Sequence, residues 1–100
     1  MQLEIRHTRQ ARQDLREIWD YIDQTDTAAA DRQLRRIAEK VIQTSHVPMI
    51  GRPRPEFGEK LRSFVVDCYV IFYELEPTAL RIVRVMHSAR DISSGNFGSD

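Results

Sequence analysis

The stretch LRSFVVDCYVIFYELEPTALRIVRVMH, residues 61–87, decides the fold. It reads as three strands, residues 61–66, 69–75 and 80–87, separated by the short breaks Asp67-Cys68 and Glu76-Pro77-Thr78-Ala79. The runs are rich in β-branched and aromatic residues, and the breaks are too short for a crossover helix. Neighbouring strands must therefore pair antiparallel, as a meander. Both faces of this meander are apolar: Tyr69, Ile71, Tyr73 and Leu75 alternate with Val70 and Phe72, and Leu80 and Ile82 with Val83 and Val85. An antiparallel sheet with one wet face would place a polar residue at every second position. Each side of this sheet needs a cover.

Working outward toward the N-terminus, Leu3 and Ile5 alternate with Gln2, Glu4 and Arg6, which predicts a short first strand added to the meander. Thr8 is placed to cap a helix. From there Ala11, Leu15, Ile18, Trp19 and Ile22 form one helical stripe, with charged residues between them, and the helix should end near Gln24. On that stripe Trp19 is expected to pack between helices and sheet. Thr25-Asp26-Thr27 offers a turn and a second cap, after which Ala30, Leu34, Ile37, Ala38, Val41 and Ile42 repeat the spacing. Two such helices with a short connection form an antiparallel hairpin.

Residues 47–58 carry three prolines and two glycines and read as a loop returning the chain to the sheet. Residues 93–100 have little to fold with and are expected to form a flexible tail, leaving residues 1–92 as one domain. The predicted fold is α+β, in the order β-α-α-β-β-β, with a helical hairpin on one face of a mainly antiparallel four-stranded sheet. The hairpin can cover one face only. The other is expected to be taken by a partner, unless the loop from Val47 to Phe57 and the tail with Phe97 fold over it. A peptide or helix laid there would gain about 25 cal/mol per Å² of apolar surface.

Charge is balanced, fifteen basic residues against fifteen acidic. That argues against a protein held to nucleic acid by bulk positive charge. Basic residues do concentrate around Arg52, Arg54, Lys60 and Arg62. The single Cys68 cannot form an internal disulfide, the N-terminus lacks a secretory layout, and no apolar run nears the roughly 20 residues of a membrane helix. A reducing, cytoplasmic location is expected, with no membrane association. His7 and His46 have no ligand spacing around them, so no metal is expected.

Ala11-Arg12-Gln13-Asp14-Leu15-Arg16-Glu17-Ile18-Trp19-Asp20-Tyr21-Ile22, Pro48 with Gly51-Arg52, Leu61-Arg62-Ser63-Phe64, Tyr69-Val70-Ile71-Phe72-Tyr73 and Ile82-Val83-Arg84-Val85-Met86-His87 with Ala89-Arg90-Asp91 occur in that order. Together they resemble the RelE/ParE toxins of bacterial type II toxin-antitoxin systems, over residues 3–92. The resemblance implies the β-α-α-β-β-β fold, no cofactor, a cognate ParD-like antitoxin that wraps the toxin in a hetero-oligomer, growth inhibition and a role in plasmid stabilization. In that superfamily the RelE branch cleaves messenger RNA at the ribosome, and the ParE branch is associated with poisoning DNA gyrase.

RNA cleavage without a metal needs a proton acceptor, a proton donor and cations at the transition state. His87 is the candidate acid or base, with Arg62, Arg84 and Arg90 as phosphate holders. Against that chemistry, no tyrosine follows Tyr73 and the chain has two lysines, Lys40 and Lys60. The Arg-Val-Met-His and Arg-Asp elements resemble the ParE branch more closely. The expected function is therefore a gyrase-directed toxin acting by binding, without turnover. The alternatives are a ribosome-dependent endoribonuclease and a non-toxic, antitoxin-binding co-repressor. Arg52, Arg54, Arg62, Phe72, Tyr73, Arg84, His87 and Arg90 are the candidate contacts to antitoxin or target, with the antitoxin expected on the sheet face away from the hairpin.

Overall fold

The computed structural model describes residues 3–97. Strand β1 (Glu4–His7) leads into helices α1 (Arg9–Asp23) and α2 (Thr27–His46), followed by β2 (Arg52–Pro53), β3 (Leu61–Val66), β4 (Tyr69–Leu75), β5 (Ala79–His87) and a 3-10 turn (Ser94–Phe97). The sheet order is β1-β5-β4-β3-β2, with β1 parallel to β5 and the other pairs antiparallel. The sheet thus has five strands rather than the expected four. Arg52 and Pro53 pair with Ser63 and Arg62 at the sheet edge, a position that tolerates a proline because its missing N–H can face outward.

Both helices begin where the sequence places a cap. The Thr8 side chain accepts from the Ala11 amide and the Asp26 carboxylate from the Ala29 amide. The hairpin buries Ala11, Ile37 and Val41 against Phe64, Ile71, Tyr73, Leu80, Ile82 and Val85 of the sheet. Trp19 departs from expectation: it is half-buried, and its indole N–H donates to Asp31 at 2.9 Å, so it ties α1 to α2 and does not enter the sheet core. At the β3–β4 turn Asp67 takes a left-handed conformation, φ 56°, which aspartate tolerates better than most residues. Its carboxylate accepts from Gln33 and Arg36, fastening the turn to α2.

A β-bulge redirects β5. Phe72 lies opposite Arg84 and Tyr73 opposite Ile82, so Val83 is the extra residue. At the same point β1 ends, its last pair being His7 with Ile82. Helix α1 then takes over as the neighbour of β5. The Thr8 hydroxyl donates to the Val83 carbonyl at 2.8 Å, and Asp14 accepts from the Val85 amide at 2.9 Å. The same carboxylate accepts from Arg84 Nε and Nη2 at 2.8 and 3.0 Å. One buried carboxylate therefore replaces a missing strand and neutralises a buried guanidinium.

The second sheet face is closed by the chain itself, which corrects the expectation of a face left for a partner. Leu61, Val70, Phe72, Val83 and Met86 form a second core there, with Phe57, Ile92 and Phe97 packed over it. The Phe97 ring stacks on Phe57 at 5.5 Å and meets Phe72 edge-on at 4.7 Å, and the Arg54 guanidinium lies over Phe57 at 4.9 Å. The 3-10 turn is held by Arg84 Nη1 donating to the Asn96 carbonyl at 2.8 Å. Up to Phe97 the expected flexible tail is therefore a packed strap; residues 98–100 of that expected tail lie outside the described residues.

Candidate functional site

The residues singled out from the sequence fall into three places. Arg62 lies opposite Tyr73 on the hairpin side of the sheet. Arg62 donates to the carbonyls of Met49 and Gly51 at 3.1 and 2.7 Å. The Tyr73 hydroxyl donates to the Pro48 carbonyl at 2.7 Å and accepts from the Gly51 amide at 2.9 Å. Together they fasten the proline-containing loop to the sheet. A Cβ on Gly51 would come within 2.3 Å of the Tyr73 hydroxyl, so this close approach requires glycine. Burial pushes the Tyr73 pKa up, against the opposing pull of the Gly51 amide and Arg62.

Phe72, Arg54 and Arg84 belong to the closed second face. Phe72 is fully buried. Arg54 pairs with Glu56 at 2.9 Å, donates to the Ser63 hydroxyl at 3.1 Å and covers the two phenyl rings of Phe57 and Phe72. Arg84 is saturated by Asp14 and Asn96. Phe72, Tyr73 and Arg84 are therefore structural in the isolated chain, which corrects their reading as exposed contacts: each is buried and engaged within the chain. Arg52 is exposed on the short edge strand.

His87 and Arg90 form the third place, at the far end of β5. Both are exposed. They line a cavity of about 360 Å³ together with Glu17, Ile18, Tyr21 and Tyr69. His87 Nδ1 accepts from the Ala89 amide at 3.0 Å, which puts the proton of the neutral ring on Nε2. The Tyr69 ring meets it edge-on at 5.5 Å, and burial raises the Tyr69 pKa, with Cys68 adding to the effect. Glu17 and Tyr21 were not singled out from the sequence. Their signal was an exposed i,i+4 pair on the polar face of α1, one member of which, Tyr21, is 73 % exposed.

The four residues of the nuclease reading are not brought together. Arg62 sits opposite Tyr73 and His87 opposite Tyr69, four positions apart along β4, or roughly 13 Å at the rise of a strand. Arg84 pairs with Phe72 on the opposite face and is locked to Asp14. Only His87 and Arg90 share a cavity.

A second opening lies beside β1. Ile5, His7, Leu15, Leu34, Ile37, Ala38, Val41 and Ile42 line an apolar groove of about 400 Å³ between that strand and the hairpin. Burial, reinforced by the nearby Arg12, lowers the His7 pKa. Among the described residues no group of three or more His, Cys, Asp or Glu could hold a metal ion, and no helix is long and apolar enough to cross a membrane.

Residues 5–92 match the family described as ParE toxin of type II toxin-antitoxin system, parDE. The chain belongs to this ParE toxin family. No individually curated protein matches it. Among solved structures, the chromosomal ParDE toxin-antitoxin system from P. aeruginosa is similar at a TM-score of 0.73 and 21 % identity, over 86 % of this chain and 96 % of that one. The toxin-antitoxin complex RelBE2 from Mycobacterium tuberculosis is similar at 0.69 and 23 %, over 87 % and 99 %. These two likenesses establish the shared fold of the ParE-type toxin, two helices against a curved sheet end to end with its relatives, and family membership rests on the match over residues 5–92.

Proposed function

We propose that this ParE-type toxin arrests growth by binding DNA gyrase in the cytoplasm, without catalytic turnover, and is neutralised by a cognate antitoxin in a hetero-oligomer. The observation that carries this reading is the family match over residues 5–92. The separation of Arg62, Arg84 and His87 across the sheet supports it, because general acid–base cleavage of RNA needs its groups within hydrogen-bond reach of one phosphate. Arg52 and Arg90 are the exposed arginines of the candidate set and are assigned to target or antitoxin contact. A role in plasmid stabilization follows from the same pairing of toxin and antitoxin.

The cavity holding His87, Arg90 and Tyr69 favours one second reading, a RelE-like ribosome-dependent endoribonuclease. Induction of the toxin alone separates the two. Gyrase poisoning gives a DNA-damage response and altered plasmid supercoiling with intact messages. Codon-linked cuts in translated messages that disappear in His87→Ala would replace the first reading by the second. Expression without growth arrest would leave a non-toxic co-repressor.

A further inference from the structure

We propose that the antitoxin delivers one extended, acidic segment that adds to the open edge of β1 and sets alternate apolar side chains into the groove beside it. This inference rests on the antitoxin reading above and assigns it a place. Glu4 donates to the Thr78 carbonyl at 3.1 Å and the Thr8 amide to Ile82 at 3.0 Å. In a parallel pair the backbone groups alternate sides, so Glu4, Arg6 and Thr8 address β5 while Leu3, Ile5 and His7 turn outward. The Leu3 amide reaches the Ser45 carbonyl and the His7 carbonyl accepts from Arg12. Among the described residues, the Ile5 amide and carbonyl and the His7 amide then remain directed at the open edge. Such an edge is a template for another strand.

The groove specifies the side chains. Its walls are aliphatic, and Ile42 is 47 % exposed at its mouth. A helix could fill the groove but would leave the β1 amides unpaired, whereas a strand uses both features, placing every second residue against Ile5, Leu34 and Ile42. Charge specifies the rest. Arg12 and Arg16 stand one turn apart on α1, Arg12 reaching back to β1, and Arg35 precedes Ile42 by two turns on α2. All three are exposed, and among the described residues none is in an ion pair. The segment is accordingly acidic at positions flanking its apolar ones.

The test uses the intact toxin and the product of the open reading frame beside its gene, titrated by calorimetry. Ile5→Pro removes an outward amide without touching the bonds to β5 and should weaken binding about tenfold. Ile42→Glu should weaken it at least tenfold. Joint replacement of Arg12, Arg16 and Arg35 by alanine should cost about tenfold at low salt and little at 1 M, where charges are screened within about 3 Å. Val65→Glu, on the other sheet face, should leave affinity within about twofold. Hydrogen exchange on the unaltered toxin guards against a misfolded variant: the Ile5 amide should slow at least about a hundredfold in the complex. Binding with unchanged Ile5 exchange, or loss with Ile42→Glu but not Ile5→Pro, overturns strand addition, the latter in favour of a helix. Self-association of the toxin through the groove with no competition by the antitoxin overturns it in favour of a second copy. Failure of the unaltered pair to bind at all refutes the antitoxin reading itself.

Discussion

Replacing Asp14 by alanine should destabilise the fold by about 3–5 kcal/mol, the range for breaking a buried ion pair by removing one partner. The Asp14 and Arg84 side chains are 6 and 9 % exposed, so solvent screens little of the interaction. The carboxylate accepts from two guanidinium nitrogens and from the Val85 amide. Its loss leaves Arg84 with the Asn96 carbonyl alone and an unpaired amide at the point where β5 has lost β1. A domain of this size holds about 5–15 kcal/mol in all, so the variant should melt at least about 12 °C lower. Urea unfolding followed by circular dichroism measures the difference. The double variant Asp14→Leu with Arg84→Met should recover most of the loss, because an apolar pair of similar volume removes the buried charge together with its partner. A loss below about 1 kcal/mol for Asp14→Ala, or a double variant no better than the single one, would refute the role given to this carboxylate.

Phe97→Ala should cost about 1–2 kcal/mol in the same assay and speed amide exchange at residues 92–97, since its half-buried ring closes the second face. Gly51→Ala should be more damaging than Tyr73→Phe, which loses about 1–2 kcal/mol of hydrogen bonding, because the new methyl collides with the Tyr73 ring. For His7 the folded-state pKa lies below its ordinary 6.5. The unfolded chain then binds more protons as pH falls below about 6.5, so stability should decline there, and His7→Gln should remove that part of the slope in thermal melts.

Much of the fold was legible. The bounds of β3 and β4 follow directly from their β-branched and aromatic runs, and both helix caps from Thr8 and Asp26. The fifth strand was hidden because Pro53 reads as a breaker unless its edge position is known. Closure of the second face depends on Phe57 and Phe97 meeting over Phe72, contacts between residues far apart in sequence that no local period encodes. The Asp14–Arg84 pair spans seventy residues, yet each half left a trace. Asp14 lies on the apolar stripe between Ala11 and Leu15, and Arg84 interrupts an apolar strand, so each needed a buried partner. Of the candidate site, His87 with Arg90 was correctly grouped. The arginines Arg54, Arg62 and Arg84 were overread as free cations, since a sequence does not show which carbonyls and carboxylates will consume them. The argument for a partner from an uncovered sheet face fails with that closure, and the antitoxin now rests on family membership.

The most direct measurement of the proposed function is a supercoiling and DNA-cleavage assay with purified gyrase, the toxin and then the antitoxin. Gyrase-dependent inhibition with accumulated cleaved DNA, relieved by antitoxin and unchanged in His87→Ala, is the predicted result. Gyrase that supercoils normally at saturating toxin, with ribosome-dependent message cleavage in a parallel translation reaction, would contradict it.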